Sequence, residues 1–167
     1  RSMSRPFSIR PAVPSDIEGV LDLAVSMVLS SRSDLRPEIP DLAILEARRR
    51  NLAQLETILE LPEGGVFVAT DERGELVGHV ICMGNNIDSV SEAPQAWVYD
   101  LSVRPERWGN GVGRALMKRA EEFARALGLD WIGLGVTQAN QRALRFYQEI
   151  GYGIERVQMV KRLEAVS

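Results

Sequence analysis

Between Val103 and Ala115 the chain reads Val-Arg-Pro-Glu-Arg-Trp-Gly-Asn-Gly-Val-Gly-Arg-Ala. Glycines at 109, 111 and 113 let main-chain N–H groups approach a ligand with no Cβ in the way. The helix that opens there adds unsatisfied amides and the positive end of its dipole. Such a cradle suits a pyrophosphate. Residues 96–103 upstream are β-rich, and Val112, Leu116, Ala120, Phe123 and Leu127 downstream recur at helical spacing, so strand, cradle and helix are contiguous. A nucleoside-triphosphate loop of this kind needs Gly-Lys-Ser/Thr, which does not occur. A dinucleotide-binding oxidoreductase could use Gly109-x-Gly111-x-Gly113 with Asp130 about twenty residues on, but that acid should end a strand and Asp130 precedes one.

With the approach Val103-Arg104-Pro105-Glu106 before it, the cradle resembles the GNAT superfamily of acyl-CoA-dependent N-acyltransferases, whose signature is Gln/Arg-x-x-Gly-x-Gly/Ala after a strand. Gly111-x-Gly113 matches its second half. Trp108 stands where the family has Gln or Arg, and an arginine sits one residue earlier at Arg107. A second segment, residues 140–152, is similar to the family's Asn…Ala…Phe/Leu-Tyr…Gly-Phe/Tyr run through Asn140, Ala143, Phe146, Tyr147, Gly151 and Tyr152. The two matches occur in the right order and at the right spacing.

The resemblance implies an α/β fold: a mixed, mostly antiparallel sheet splayed between strands four and five, flanked by about four helices, in one domain over residues 7–163. It implies acetyl-CoA as acyl donor. The main chain of Leu101 and Val103 would pair with the pantetheine like an added strand. The segment Trp108, Gly109, Asn110, Gly111, Val112, Gly113 and Arg114 would hold the pyrophosphate, with Asn140 and Phe146 beside the pantetheine arm. An amide near Leu101 would polarise the thioester carbonyl. Tyr147 falls where the family has its general acid, and a phenol with a reference pKa of about 10 is protonated at neutral pH. Histone acetyltransferases of the superfamily have a glutamate where this chain has Trp97, and ribosomal-protein N-terminal acetyltransferases have one where it has Gly135. Asp100 is then the best remaining carboxylate to take the amine proton, directly or through water. A carboxylate merely paired to a neighbouring strand is the alternative. No Ser-His-Asp set or acyl-accepting cysteine is evident, so direct transfer in a ternary complex is expected. A non-catalytic acyl-CoA-binding domain is the second reading.

Bulk properties agree with one mixed domain. A chain of 167 residues can bury a proper core. With 20 Lys+Arg against 23 Asp+Glu and a net charge of −3, nothing suggests a nucleic-acid surface, and a cationic amine would suit the balance. No apolar stretch reaches membrane-spanning length and no signal-peptide pattern appears, so the expectation is a cytoplasmic protein without a membrane partner. No metal site is read from the sequence. Arg1 and Ser2 before Met3 read as a cloning remnant. A homodimer is common in the family. The acceptor stays open among small amines, amino acids, polyamines, aminoglycosides and peptide N-termini.

The framework that positions these residues starts with a strand over 7–10 and a helix opening at Pro14-Ser15-Asp16 with Ile17, Val20, Leu21, Ala24 and Val28 on one face. A second helix should run to about Leu61 on a stripe of Leu42, Leu45, Leu52, Leu55 and Leu59. Arg48, Arg49 and Arg50 fall mostly off that face and read as solvated surface. Strands over 66–69 and 76–83 follow. The second is apolar on both faces, so it belongs inside a covered sheet, with His79 packed rather than catalytic and Cys82 a small buried hydrophobe. Residues 85–94 read as a long connection that could border the acceptor. A fifth strand is expected over 130–136 and at least one more over 152–161.

Overall fold

A computed structural model describes residues 5–166, so Arg1 and Ser2, read above as a cloning remnant, lie outside the described residues. The elements run β1 (Phe7–Pro11), α1 (Ile17–Met27), α2 (Asp41–Asn51), α3 (Leu55–Glu60), β2 (Gly64–Asp71), β3 (Leu76–Ile87), β4 (Pro94–Val103), α4 (Val112–Ala126), β5 (Ile132–Leu134) and α5 (Gln141–Glu149). The strands form one sheet in sequence order, antiparallel from β1 to β4, with β4 and β5 parallel. This mixed sheet rules out the doubly wound parallel sheet of a dinucleotide-binding oxidoreductase.

Each face of the sheet is covered, which is why β3 reads as an almost unbroken apolar run. On one face Val112, Leu116, Met117 and Ala120 of α4 pack on Phe67, Val80, Cys82 and Val98, with Phe146 and Tyr147 of α5 alongside. On the other, Val20 and Ala24 of α1 and Leu52 and Leu55 meet Val66, Val68 and Ile81. Gly78 lets α4 sit close, since a Cβ there would lie 3.2 Å from side-chain carbons of both Val112 and Leu116.

Four sequence expectations are corrected. The helix expected to reach Leu61 breaks at Leu52 into α2 and α3, which turns Leu52 and Leu55 together into the core and leaves Leu42 exposed. The long connection over 85–94 contracts, because β3 continues to Ile87 and β4 begins at Pro94. Asp88 closes the short turn between them by accepting from the Ser91 N–H at 2.8 Å and hydroxyl at 2.6 Å. The fifth strand spans Ile132–Leu134 only. Residues 152–166 carry neither helix nor strand. Alternating apolar residues give that segment strand tendency, but a strand needs a ladder partner. The segment instead runs free of the sheet, held by Arg156 to Asp88 at 3.0 Å and by an ion pair of Arg162 with Glu38. Ile154, Val157, Met159 and Leu163 are exposed along it. Among the described residues no helix is long and apolar enough to cross a membrane.

Candidate active site

The sheet splays because β4 and β5 pair over only three residues, Ala96 to Val98 against Ile132 to Leu134. Beyond Val98 the outer edge of β4 is open. Ile81 pairs with Asp100 and Cys82 with Val98, so Tyr99 is an extra residue and β4 bulges there. The bulge changes which residues face the gap. Before it, the Ala96 N–H reaches across to Trp131 at 2.9 Å; after it, the Arg104 N–H points the other way, to Val77 at 2.9 Å. Alternation along the antiparallel ladder then turns the N–H and C=O of Leu101 and Val103 outward into the gap. These are the two residues expected to pair with an extended ligand.

The cradle lies at the end of that edge. Gly109 and Gly111 adopt positive φ, 79° and 83°, and Gly111 is the N-cap of α4. Asn110 N–H donates to Arg107 O and Ala115 N–H to Gly111 O. The N–H groups of Gly109, Gly111, Val112, Gly113 and Arg114 make no such bond among the described residues. Gly113 is tight for a different reason: a Cβ there would lie 3.2 Å from Phe146 Cζ. The Phe146 ring thus ties the start of α4 to α5.

Trp108 and Arg107 both give their side-chain N–H groups to the protein's own carbonyls. Arg107 is buried and its guanidinium donates to the carbonyls of Arg5 and Pro6 at 3.1 Å, anchoring the chain that leads into β1. The Trp108 indole N–H donates to Val103 O at 2.8 Å, and the Arg142 guanidinium stacks 3.4 Å above its ring. One of the outward-facing carbonyls of β4 is therefore already bonded. Asn140 caps α5, its side chain accepting from Ala143 N–H at 3.3 Å.

Tyr147 sits on α5 with its ring edge-on to Phe146 and Tyr152, centroids 5.1 and 5.9 Å away. Burial raises the pKa of its phenol, and the Asp100 carboxylate adds to the rise while Arg142 opposes it. The hydroxyl stays protonated and makes no hydrogen bond to protein among the described residues.

Asp100 lies on the opposite face, just past the bulge. Its Oδ2 accepts from Ser102 Oγ at 2.7 Å and meets His79 Nε2 at 2.6 Å, while Oδ1 pairs with Arg48, which also donates to Tyr99 O at 2.9 Å. Burial alone would raise this carboxyl, but His79, Arg48 and the Ser102 hydroxyl outweigh it and bring it down to about 2. Arg48 corrects the sequence reading of a solvated arginine run. Only Arg49, paired with Asp22 at 2.9 Å, and the exposed Arg50 keep to the helix surface. No spacing signal marks Arg48, since its partner lies in a distant strand. Cys82 is fully buried and burial pushes its thiol up to about 12, which excludes it as a nucleophile at neutral pH.

Residues 31–152 match the acetyltransferase (GNAT) family. The chain belongs to that family. It is 32% identical over 111 residues to the uncharacterized N-acetyltransferase MJ1207 of Methanocaldococcus jannaschii, a stretch covering 64% of this chain and 49% of the relative. The chain thus spans about half the length of that curated relative. Among solved structures, a provisionally assigned acetyl transferase from Pyrococcus furiosus superposes with a TM-score of 0.76 at 32% identity, over 95% of this chain and all of the other. The aminoglycoside acetyltransferase AAC(6')-Iy, in complex with the bisubstrate analog CoA-S-monomethyl-acetylneamine, shares the fold at 19% identity, with a TM-score of 0.67 over 95% of this chain and 99% of that one.

Proposed function

We propose that this protein transfers an acetyl group from acetyl-CoA to a primary amine by direct attack in a ternary complex. The observation that carries it is the outward-facing main chain of Leu101 and Val103 running into a row of unpaired amides at the start of α4. A pantetheine amide can add to the β4 edge while the pyrophosphate takes the amides of Gly109 to Arg114, of which Asn110 alone is bonded within the turn. Val103 contributes its N–H, and Trp108 lines the ligand at the bend while its indole holds the Val103 carbonyl. Asn140 and Phe146 flank the arm.

The amine nitrogen attacks the thioester carbonyl carbon, and the oxyanion that forms is met by the Leu101 N–H. The tetrahedral centre then collapses, the C–S bond breaks, and the amide remains. Tyr147 hydrogen-bonds the departing sulfur and passes its proton as the thiolate charge completes. A raised phenol is a reluctant donor, but a thiolate leaving in the same buried site is made more basic by the same desolvation. The amine must shed a proton too. A carboxyl near 2 with both oxygens bonded by Arg48, His79 and Ser102 cannot keep that proton, so it passes through water and restores the Tyr147 phenol, while Asp100 acts by charge and position.

Acetyl-CoA is expected to raise the melting temperature where NAD does not, and CoA release against a panel of primary amines should exceed the rate without amine. Stabilisation with no amine-dependent release would leave the non-catalytic acyl-CoA-binding reading; no stabilisation removes both.

A further inference from the structure

The bulge at Tyr99 is where β4 turns its amides toward the gap, and it is clamped from three elements. An extra residue in a strand loses its regular ladder partner, and the Tyr99 carbonyl is taken by Arg48 of α2. The same guanidinium holds Oδ1 of Asp100, the next residue. Oδ2 of Asp100 is held by His79 of β3, which is fully buried, and by Ser102 two residues along. The bulged residue and the one that follows it are therefore pinned. Arg48 Nε and His79 Nδ1 have no partner, so the network carries unsatisfied buried nitrogens that an apolar filling would avoid.

We propose that Arg48, Asp100 and His79 form a positioning unit that holds the Tyr99 bulge and so aims the Leu101 N–H at the thioester oxygen. None of the three touches the reacting atoms. The proposal rests on the acetyl-CoA reading of the β4 edge, and it explains why a half-buried arginine and carboxylate and a buried histidine converge beside the bulge. Pre-aimed donors act because they need not reorganise as charge develops, so a slackened bulge should cost rate rather than affinity.

The test is the carbonyl stretch of acetyl-CoA labelled with ¹³C at the thioester carbon, read by difference infrared spectroscopy on the bound cofactor. Wild-type protein is expected to lower the frequency relative to free acetyl-CoA. Arg48→Met should bind acetyl-CoA within about threefold of wild type, return the stretch toward the free value and reduce kcat about 10- to 100-fold with KM for acetyl-CoA little changed. Arg48→Lys, which keeps a cation for one of the two oxygens, should fall between them and serves if Arg48→Met does not fold. Arg48→Met or Arg48→Lys protein that binds acetyl-CoA at the full wild-type shift overturns the positioning unit while leaving the cofactor site intact. Wild-type protein that binds no acetyl-CoA overturns the cofactor reading, and the positioning unit falls with it.

Discussion

Tyr147 and Asp100 were both singled out as acid–base candidates, and their surroundings push them in opposite directions. Apolar packing around the phenol favours its neutral form, while the hydrogen bonds of His79 and Ser102 and the Arg48 guanidinium favour the charged form of the carboxylate. Tyr147→Phe, which keeps the ring contacts with Phe146 and Tyr152, should lower kcat about 10- to 100-fold with little change in acetyl-CoA KM. Steady-state kinetics with any accepted amine checks this, and unchanged turnover would reduce Tyr147 to packing. Because the phenol titrates above its usual range, an alkaline limb in kcat belongs to another group. For Asp100 the folded carboxyl is depressed from 3.8 to about 2. Its contribution to stability, about 2 kcal/mol, is complete above the unfolded value near 4 and lost as pH falls through the folded value near 2. Urea unfolding between pH 5 and 2 should show this slope in the wild type and a shallower one in Asp100→Asn.

Elements decide whether those side chains meet. The three-residue pairing of β4 with β5 leaves the rest of β4 free, and the bulge selects which of its amides face the opening. On the far side of the opening, α5 is seated by Phe146 against Gly113, so the first turn of α4 and the helix bearing Tyr147 are packed together. Gly113→Val would drive a branched side chain into the Phe146 ring and crowd the cradle, with expected weakening of acetyl-CoA binding of at least about tenfold. Isothermal titration calorimetry reads this directly. Gly113→Ala should show the same effect in smaller measure, since the ring must yield only a few tenths of an ångström.

At the scale of the whole molecule, residues 152–166 leave apolar side chains uncovered. Their exposed Val157, Met159 and Leu163 lie on a segment without a ladder, and β5 is an edge strand with an unpaired side. We propose that a second copy of the chain covers both, as a homodimer. Sedimentation velocity is expected to return twice the chain mass, and Val157→Glu with Met159→Glu to return a single chain. A wild-type monomer at micromolar concentration would dismiss the dimer.

Much of the backbone framework of the candidate site was legible in local sequence because it is built from main chain. Glycine spacing and a helix opening are properties of adjacent residues, so the turn over Gly109 to Arg114 could be placed from its own residues, and the start of α5 from the family-like run that begins at Asn140, which the structure shows to be its N-cap. The two covered faces of β3 followed from its unbroken apolar run. What neighbours in sequence could not disclose were contacts made across the fold. Arg48 looked like solvated helix surface until α2 was laid beside β4, fifty-two residues further on, and Trp108 had no visible partner until Arg142 arrived from α5. The missing final strand has the same cause. Alternation encodes a tendency in the segment itself, whereas a β-ladder is a property of two segments, and only the tertiary arrangement decides whether the second is there.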